Sequence, residues 1–128
     1  MKLLLDTHAY IWWTTEPKRL SARARKAISA AAAEIYVSAI SAYEIAYKNR
    51  IGLLPKVEPL LMNLDGDLAE RGFVSLAVSL EHGRRAGELD PAHRDPFDRL
   101  LAAQSIVERM PIVSNDSKLQ ELGAVLVW

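Results

Sequence analysis

Leu3-Leu4-Leu5-Asp6-Thr7-His8-Ala9-Tyr10-Ile11-Trp12-Trp13 is the stretch that decides the fold. Three leucines in a row, with no polar residue between them, fit a buried strand. Asp6 ends the run, and Thr7 to Thr15 reads as a helix that Pro17 breaks. A short apolar strand followed at once by a helix then recurs to the end of the chain. Ser21 is a candidate N-cap for a helix running to about Ala33, where alanine favours helix, and Ile35-Tyr36-Val37 is β-rich. Ser38 to Arg50 reads as a helix stopped by Gly52 and Pro55, and Glu58 to Glu70 as one ended by Gly72. Phe73 to Leu76 is a third strand, Ser79 to Gly87 a helix and Leu89 to Arg94 a loop. Asp95 to Met110 is a helix closed by Pro111, Ile112-Val113 a fourth strand, Asp116 to Leu122 a short helix and Val125 to Val127 a last strand. This alternation predicts an α/β fold with a mainly parallel sheet covered on both faces, within one domain over residues 1–128.

The 128 residues suit one ordinary domain, and half of them are apolar, enough for a core. The absence of cysteine excludes disulfides, thiolate metal sites and cysteine nucleophiles. The apolar start is cut by Asp6 too early for a signal peptide, and no stretch reaches the roughly 18 apolar residues that cross a bilayer. A cytoplasmic protein with no membrane association is expected. Sixteen basic and sixteen acidic residues balance to zero, which argues against a nucleic-acid scaffold but leaves room for an enzyme whose acids and bases are spatially separated.

Ligands of open α/β sheets bind beyond the carboxyl ends of the strands. Asp6 follows the first strand and Asp116 the fourth, so both fall on that rim. Each is equally readable as the N-cap of the helix it precedes. Glu44 lies between Ile40, Tyr47 and Ile51 on one predicted apolar stripe, where a carboxylate is costly unless satisfied. A pair with Lys48, four residues on, is the plain alternative. Asp95-Pro96-Phe97-Asp98 makes a sound helix start, although one carboxylate would serve for the cap. Such a set of acids, with histidine only at positions 8, 82 and 93, suits a hard cation better than structural zinc. A carboxylate cluster holding Mg²⁺ or Mn²⁺ is a common apparatus for phosphodiester hydrolysis.

The opening Leu3–Trp13, the stretch Val37-Ser38-Ala39-Ile40-Ser41-Ala42-Tyr43-Glu44-Ile45, the stretch from His93 to Gln104 and Val113-Ser114-Asn115-Asp116 resemble, in order and spacing, the motifs of PIN-domain toxins of the VapC type. The resemblance spans the whole chain, down to Trp128. It implies a three-layer α/β/α sandwich and a metal-dependent endoribonuclease. Asp6, Glu44, Asp98 and Asp116 would be the catalytic and metal-binding residues for Mg²⁺ or Mn²⁺. Asp98, directly before the apolar helix run, is the better match than Asp95, which becomes an N-cap or outer helper. Ser114 would steady the site, and Thr7 is a further supporting residue. The resemblance also implies an RNA substrate, a homodimer and a cognate VapB-like antitoxin, the chain being the toxin of a type II pair. A PIN-fold module that only binds RNA or protein, and a PIN nuclease of RNA maturation outside a toxin pair, are the alternatives. A haloacid-dehalogenase-like phosphatase would need a second acid where His8 stands, and no P-loop or Rossmann glycine motif occurs. His8 and Gln104 are read as structural, and Trp12, Trp13 and Trp128 as core or dimer contacts. Arg19, Arg23, Arg25, Lys26, Lys48, Arg84, Arg85 and Arg99 are candidate phosphate contacts, although a solvated helix face explains them as well.

Overall fold

A computed structural model describes residues 1–128. Five strands, β1 (Lys2–Leu5), β2 (Glu34–Ser38), β3 (Val74–Leu76), β4 (Ile112–Val113) and β5 (Leu126–Val127), form one sheet in the order β3-β2-β1-β4-β5. Every pairing is parallel, with Leu3 opposite Ile35 and Leu5 opposite both Val37 and Val113. The expectation of a mainly parallel sheet holds throughout.

The leucine run occupies the centre because only a central strand buries both faces. Leu3 and Leu5 point to one side, into a core with Ala9, Tyr10 and Ile11 of α1 (Thr7–Thr15), Ala24 and Ile28 of α2 (Ala22–Ser29) and Ile45 of α3 (Ala39–Arg50). Leu4 points to the other, against Leu101 and Ala102 of α7 (Pro96–Glu108) and Leu119 of α8 (Ser117–Glu121). Between them these helices cover the two faces of the sheet, which gives the three-layer α/β/α sandwich. No helix is long and apolar enough to cross a membrane.

Several boundaries differ from the sequence reading. The second helix stops at Ser29 rather than about Ala33, and Ala30 to Ala33 form a turn closed by the Ala33 N–H on the Ala30 carbonyl (3.0 Å). Alanine's helical preference is a fraction of a kilocalorie per residue. It yields to the register of β2, which sets Glu34 opposite Lys2. The single helix expected over Glu58 to Glu70 is two, α4 (Glu58–Leu61) and α5 (Leu64–Arg71). Asn63 breaks it by capping α5, its Oδ1 accepting from the Gly66 N–H (3.2 Å). A Cβ on Gly66 would stand 2.1 Å from the Asn63 amide nitrogen, so a larger residue there would shift the Asn63 side chain. The long helix α7 ends at Glu108, not Met110, with Arg109 in the left-handed conformation (φ 55°) that turns the chain into β4.

Arg99 leaves the list of phosphate contacts. Its guanidinium donates to the carbonyls of Asp90 (2.6 Å), His93 (2.7 Å), Ala86 (2.8 Å) and Leu89 (2.9 Å). It thereby ties the loop before α7 to the end of α6 (Leu80–Glu88). Arg25 is likewise engaged, donating to the Leu20 carbonyl (2.6 Å). A lysine at position 99 could not span these carbonyls, because one ammonium lacks the planar fork of donors. Arg99→Lys is expected to cost about 1–3 kcal/mol in denaturant unfolding. A loss no greater than that of a typical surface substitution would refute this role for Arg99.

Candidate active site

The carboxyl ends of β1 and β4 lie side by side, and the backbone N–H of Asp6 donates to the Val113 carbonyl (3.1 Å). This places Asp6, at the end of β1, beside Ser114 and Asp116, which follow β4. Parallel strands start helices at this same rim, so the residues there are helix N-caps. Asp6 caps α1 through Oδ1, which accepts from the Ala9 N–H (2.7 Å). Asp116 caps α8 by accepting from the Lys118 N–H (3.0 Å), and Asp95 caps α7 by accepting from the Phe97 N–H (2.9 Å). The capping reading therefore holds for all three. It uses one oxygen of each carboxylate and leaves the other.

Glu44 is buried, but not on the stripe the sequence suggested. Tyr47 and Ile51 are about half exposed, and the inward residues of α3 are Ser41, Glu44 and Ile45. Both Glu44 oxygens are engaged. Oε1 accepts from the Thr7 hydroxyl (2.7 Å), and Oε2 pairs with the Lys48 ammonium. Thr7 Oγ1 also lies 3.0 Å from Ser41 Oγ, so a buried polar chain links α1 to α3. Asp98 contrasts with the other acids: neither oxygen of its side chain has a hydrogen-bonding or ionic partner within the chain.

Asp6, Glu44, Asp95, Asp98 and Asp116 line one cavity of about 410 Å³, together with Thr7, Lys48 and Lys118. Ser114 sits beneath it, fully buried, its hydroxyl accepting from the Asp116 N–H (3.0 Å). Burial raises the Asp6 carboxyl above its ordinary range; hydrogen bonds from Ser114 and the Ala9 N–H oppose the rise, and the Asp116 charge adds to it. Asp98 is pushed up to about 6, first by burial and then by the charges of Asp95, Asp116 and Glu44, which Lys118 only partly offsets. The cavity is short of positive charge.

That deficit and the all-oxygen donor set fit a hard divalent cation. No three acidic or histidine side chains are arranged as a ready cage for one ion. A metal that keeps several of its waters and takes only one or two carboxylates directly matches this layout, as Mg²⁺ characteristically does.

Two features of the cavity escaped the sequence reading. Lys118, in the five-residue helix α8 just after Asp116, lines the cavity; its closeness in sequence to Asp116 is the one signal that could have marked it. Trp12 lines the cavity wall and stacks at its edge on Trp128 (6.0 Å), so it is a rim residue as well as a core contact. Gln104 is fully buried as expected, with its amide nitrogen near the Ala77 carbonyl (3.3 Å) and its Oε1 unpartnered.

The chain is 34% identical over 125 residues to Ribonuclease VapC22 of Mycobacterium tuberculosis, an alignment covering 92% of this chain and 89% of that protein. Its fold matches that of VapBC2 from Rickettsia felis bound to a promoter DNA fragment, with a TM-score of 0.69 at 20% identity over 98% of this chain and 97% of the other. It also matches a toxin-antitoxin complex from Klebsiella pneumoniae, with a TM-score of 0.65 at 16% identity over 98% and 96%. The sequence profile of the PIN domain matches residues 3–125, and the chain belongs to the PIN-domain family.

Proposed function

We propose that this protein is a metal-dependent endoribonuclease that hydrolyses RNA phosphodiester bonds and serves as the toxin of a type II toxin–antitoxin pair. The observation that carries the reading is the carboxylate cavity at the strand ends, in which Asp98 stands unpartnered among four other acids. The 34% identity to a VapC ribonuclease supports the activity, and likeness of fold to proteins solved as VapBC and toxin-antitoxin complexes supports a VapB-like antitoxin as partner. A homodimer and one domain over residues 1–128 complete the proposal.

Asp6, Asp98 and Asp116 would hold Mg²⁺ or Mn²⁺, with Asp98 the acid freest to bind directly. When bound, the ion would supply positive charge to the phosphate and the departing oxygen and make water a better nucleophile. Glu44 keeps its place through Thr7 and Lys48 and helps to position the attacking water. Lys118 and the Glu44-paired Lys48 offset part of the carboxylate charge in the same cavity, and a bound cation would supply the rest that an anionic phosphate needs. Ser114 holds the carboxylate of Asp6 and the backbone of Asp116 in register.

Purified protein free of antitoxin is expected to cut a mixed RNA pool with Mg²⁺ or Mn²⁺ and not with EDTA. Asp6→Asn and Asp98→Asn are each expected to reduce cutting at least about 100-fold. Undiminished cutting in EDTA, or by either variant, would exclude this mechanism.

Crowding also makes a prediction about stability. The Asp98 carboxyl binds its proton more tightly in the folded chain, near 6, than at its ordinary 3.8. Between those values the folded state holds more proton than the unfolded one. The group's contribution to stability therefore falls as pH rises through this window and stays low above it. In EDTA, Asp98→Asn is expected to melt above the parent at pH 8, with the difference gone near pH 4. Divalent ion should raise the parent's melting temperature at pH 8 and lift Asp98→Asn much less. Identical responses of the two proteins would show that Asp98 neither repels its neighbours nor binds the ion.

A further inference from the structure

A second cavity of about 380 Å³ shares His8 and Trp12 with the carboxylate cavity and continues past them to Arg19 and Lys56. Its charge is of the opposite kind. Arg19 and Lys56 lie on it, against a single acid, Glu16. The Arg19 guanidinium sits over the Trp12 ring, 4.5 Å from its centroid. Its donors make no hydrogen bond or ion pair within the chain. Arg25 and Arg99 by contrast are tied to carbonyls, and Arg71 and Arg84 to Asp67 and Glu88. An exposed arginine ordinarily samples many rotamers. Here an aromatic face holds the group in place and leaves its planar edge of donors open.

We propose that Arg19, positioned by Trp12 and assisted by Lys56, binds a backbone phosphate of the RNA adjacent to the one in the carboxylate cavity. The inference rests on the ribonuclease reading and gives that site its neighbour. A continuous strand threading both cavities would meet acids suited to a cation at the cut and free cations suited to phosphate beside it. The guanidinium fork fits two phosphate oxygens at once. Trp12 is a positioning residue: it orients the group that touches RNA. This replaces the reading of Trp12 as a core or dimer contact alone.

The test measures binding of single-stranded RNA by fluorescence anisotropy across a salt series. It uses Asp98→Asn as the non-cutting parent, with Arg19→Ala, Arg19→Lys, Trp12→Ala and the Arg19→Ala/Trp12→Ala double added to it. Arg19→Ala should weaken binding about tenfold at low salt and reduce the slope of log affinity against log salt by about 0.7. Trp12→Ala should lose part of the same increment, and the double variant no more than Arg19→Ala alone. Arg19→Lys should keep the slope and lose affinity. In the cutting protein, Arg19→Ala should raise KM and leave kcat near its parent value. Arg19→Ala binding with parental affinity and slope, from protein with an unchanged melt, would overturn the proposal and leave this guanidinium to another partner. Absence of RNA cutting by the wild-type protein would instead strike the ribonuclease reading, while the salt slope would still report on Arg19.

Discussion

The adjacency of β1 and β4 is the contact on which everything at the site depends. Two strands separated by more than a hundred residues in sequence pair in parallel through Leu4 with Ile112 and Leu5 with Val113. Because they run the same way, their carboxyl ends stop together, and the helices that leave them begin at one rim. A helix start offers unpaired N–H groups and the positive end of a dipole, so it attracts and orients a carboxylate. The fold itself thus gathers Asp6 and Asp116. The same interaction that makes each a sound cap draws them into mutual repulsion. Local stability and local strain come from one arrangement, and a bound cation is the natural way to remove the strain.

Within that frame the acids divide by how completely the protein uses them. Asp6, Asp95 and Asp116 each give one oxygen to a backbone N–H. Glu44 gives both, to Thr7 and Lys48. Asp98 gives neither, and it carries the large upward shift to about 6. A carboxylate left unsatisfied in a half-buried setting is costly, and such a cost persists most readily where a ligand relieves it.

How much was legible in the sequence follows from which physics is local. The leucine run and the cap at Ser21 could be read because short-range pattern and helix-start chemistry write them directly, whereas the four acids came as a set only from the resemblance to the PIN motifs. The stripe around Glu44 could not. Ile40, Tyr47 and Ile51 have helical spacing, but which face of α3 turns inward is set by α1 and α7, not by α3 itself. The break at Asn63 was hidden for a related reason: a side chain competing for backbone N–H groups interrupts a pattern whose apolar spacing still looks continuous. The Arg19–Trp12 contact joins two elements and has no signature in either.

Arg99 carries a consequence for how the molecule breathes. Its carbonyl contacts reach back to the last turn of α6 and forward through the loop that delivers Asp95 and Asp98. Loops of this kind usually open on their own, at low cost and independently of the elements they connect. Here one side chain from within α7 makes the end of α6, the loop and the start of α7 a single cooperative unit. The loop that leads into Asp95 and Asp98 is thereby tied to the helices on either side of it. Displacing the start of α7 from the end of α6 means releasing these carbonyls from one guanidinium together, so the approach to Asp95 and Asp98 is held by a single side chain rather than by the backbone of the loop.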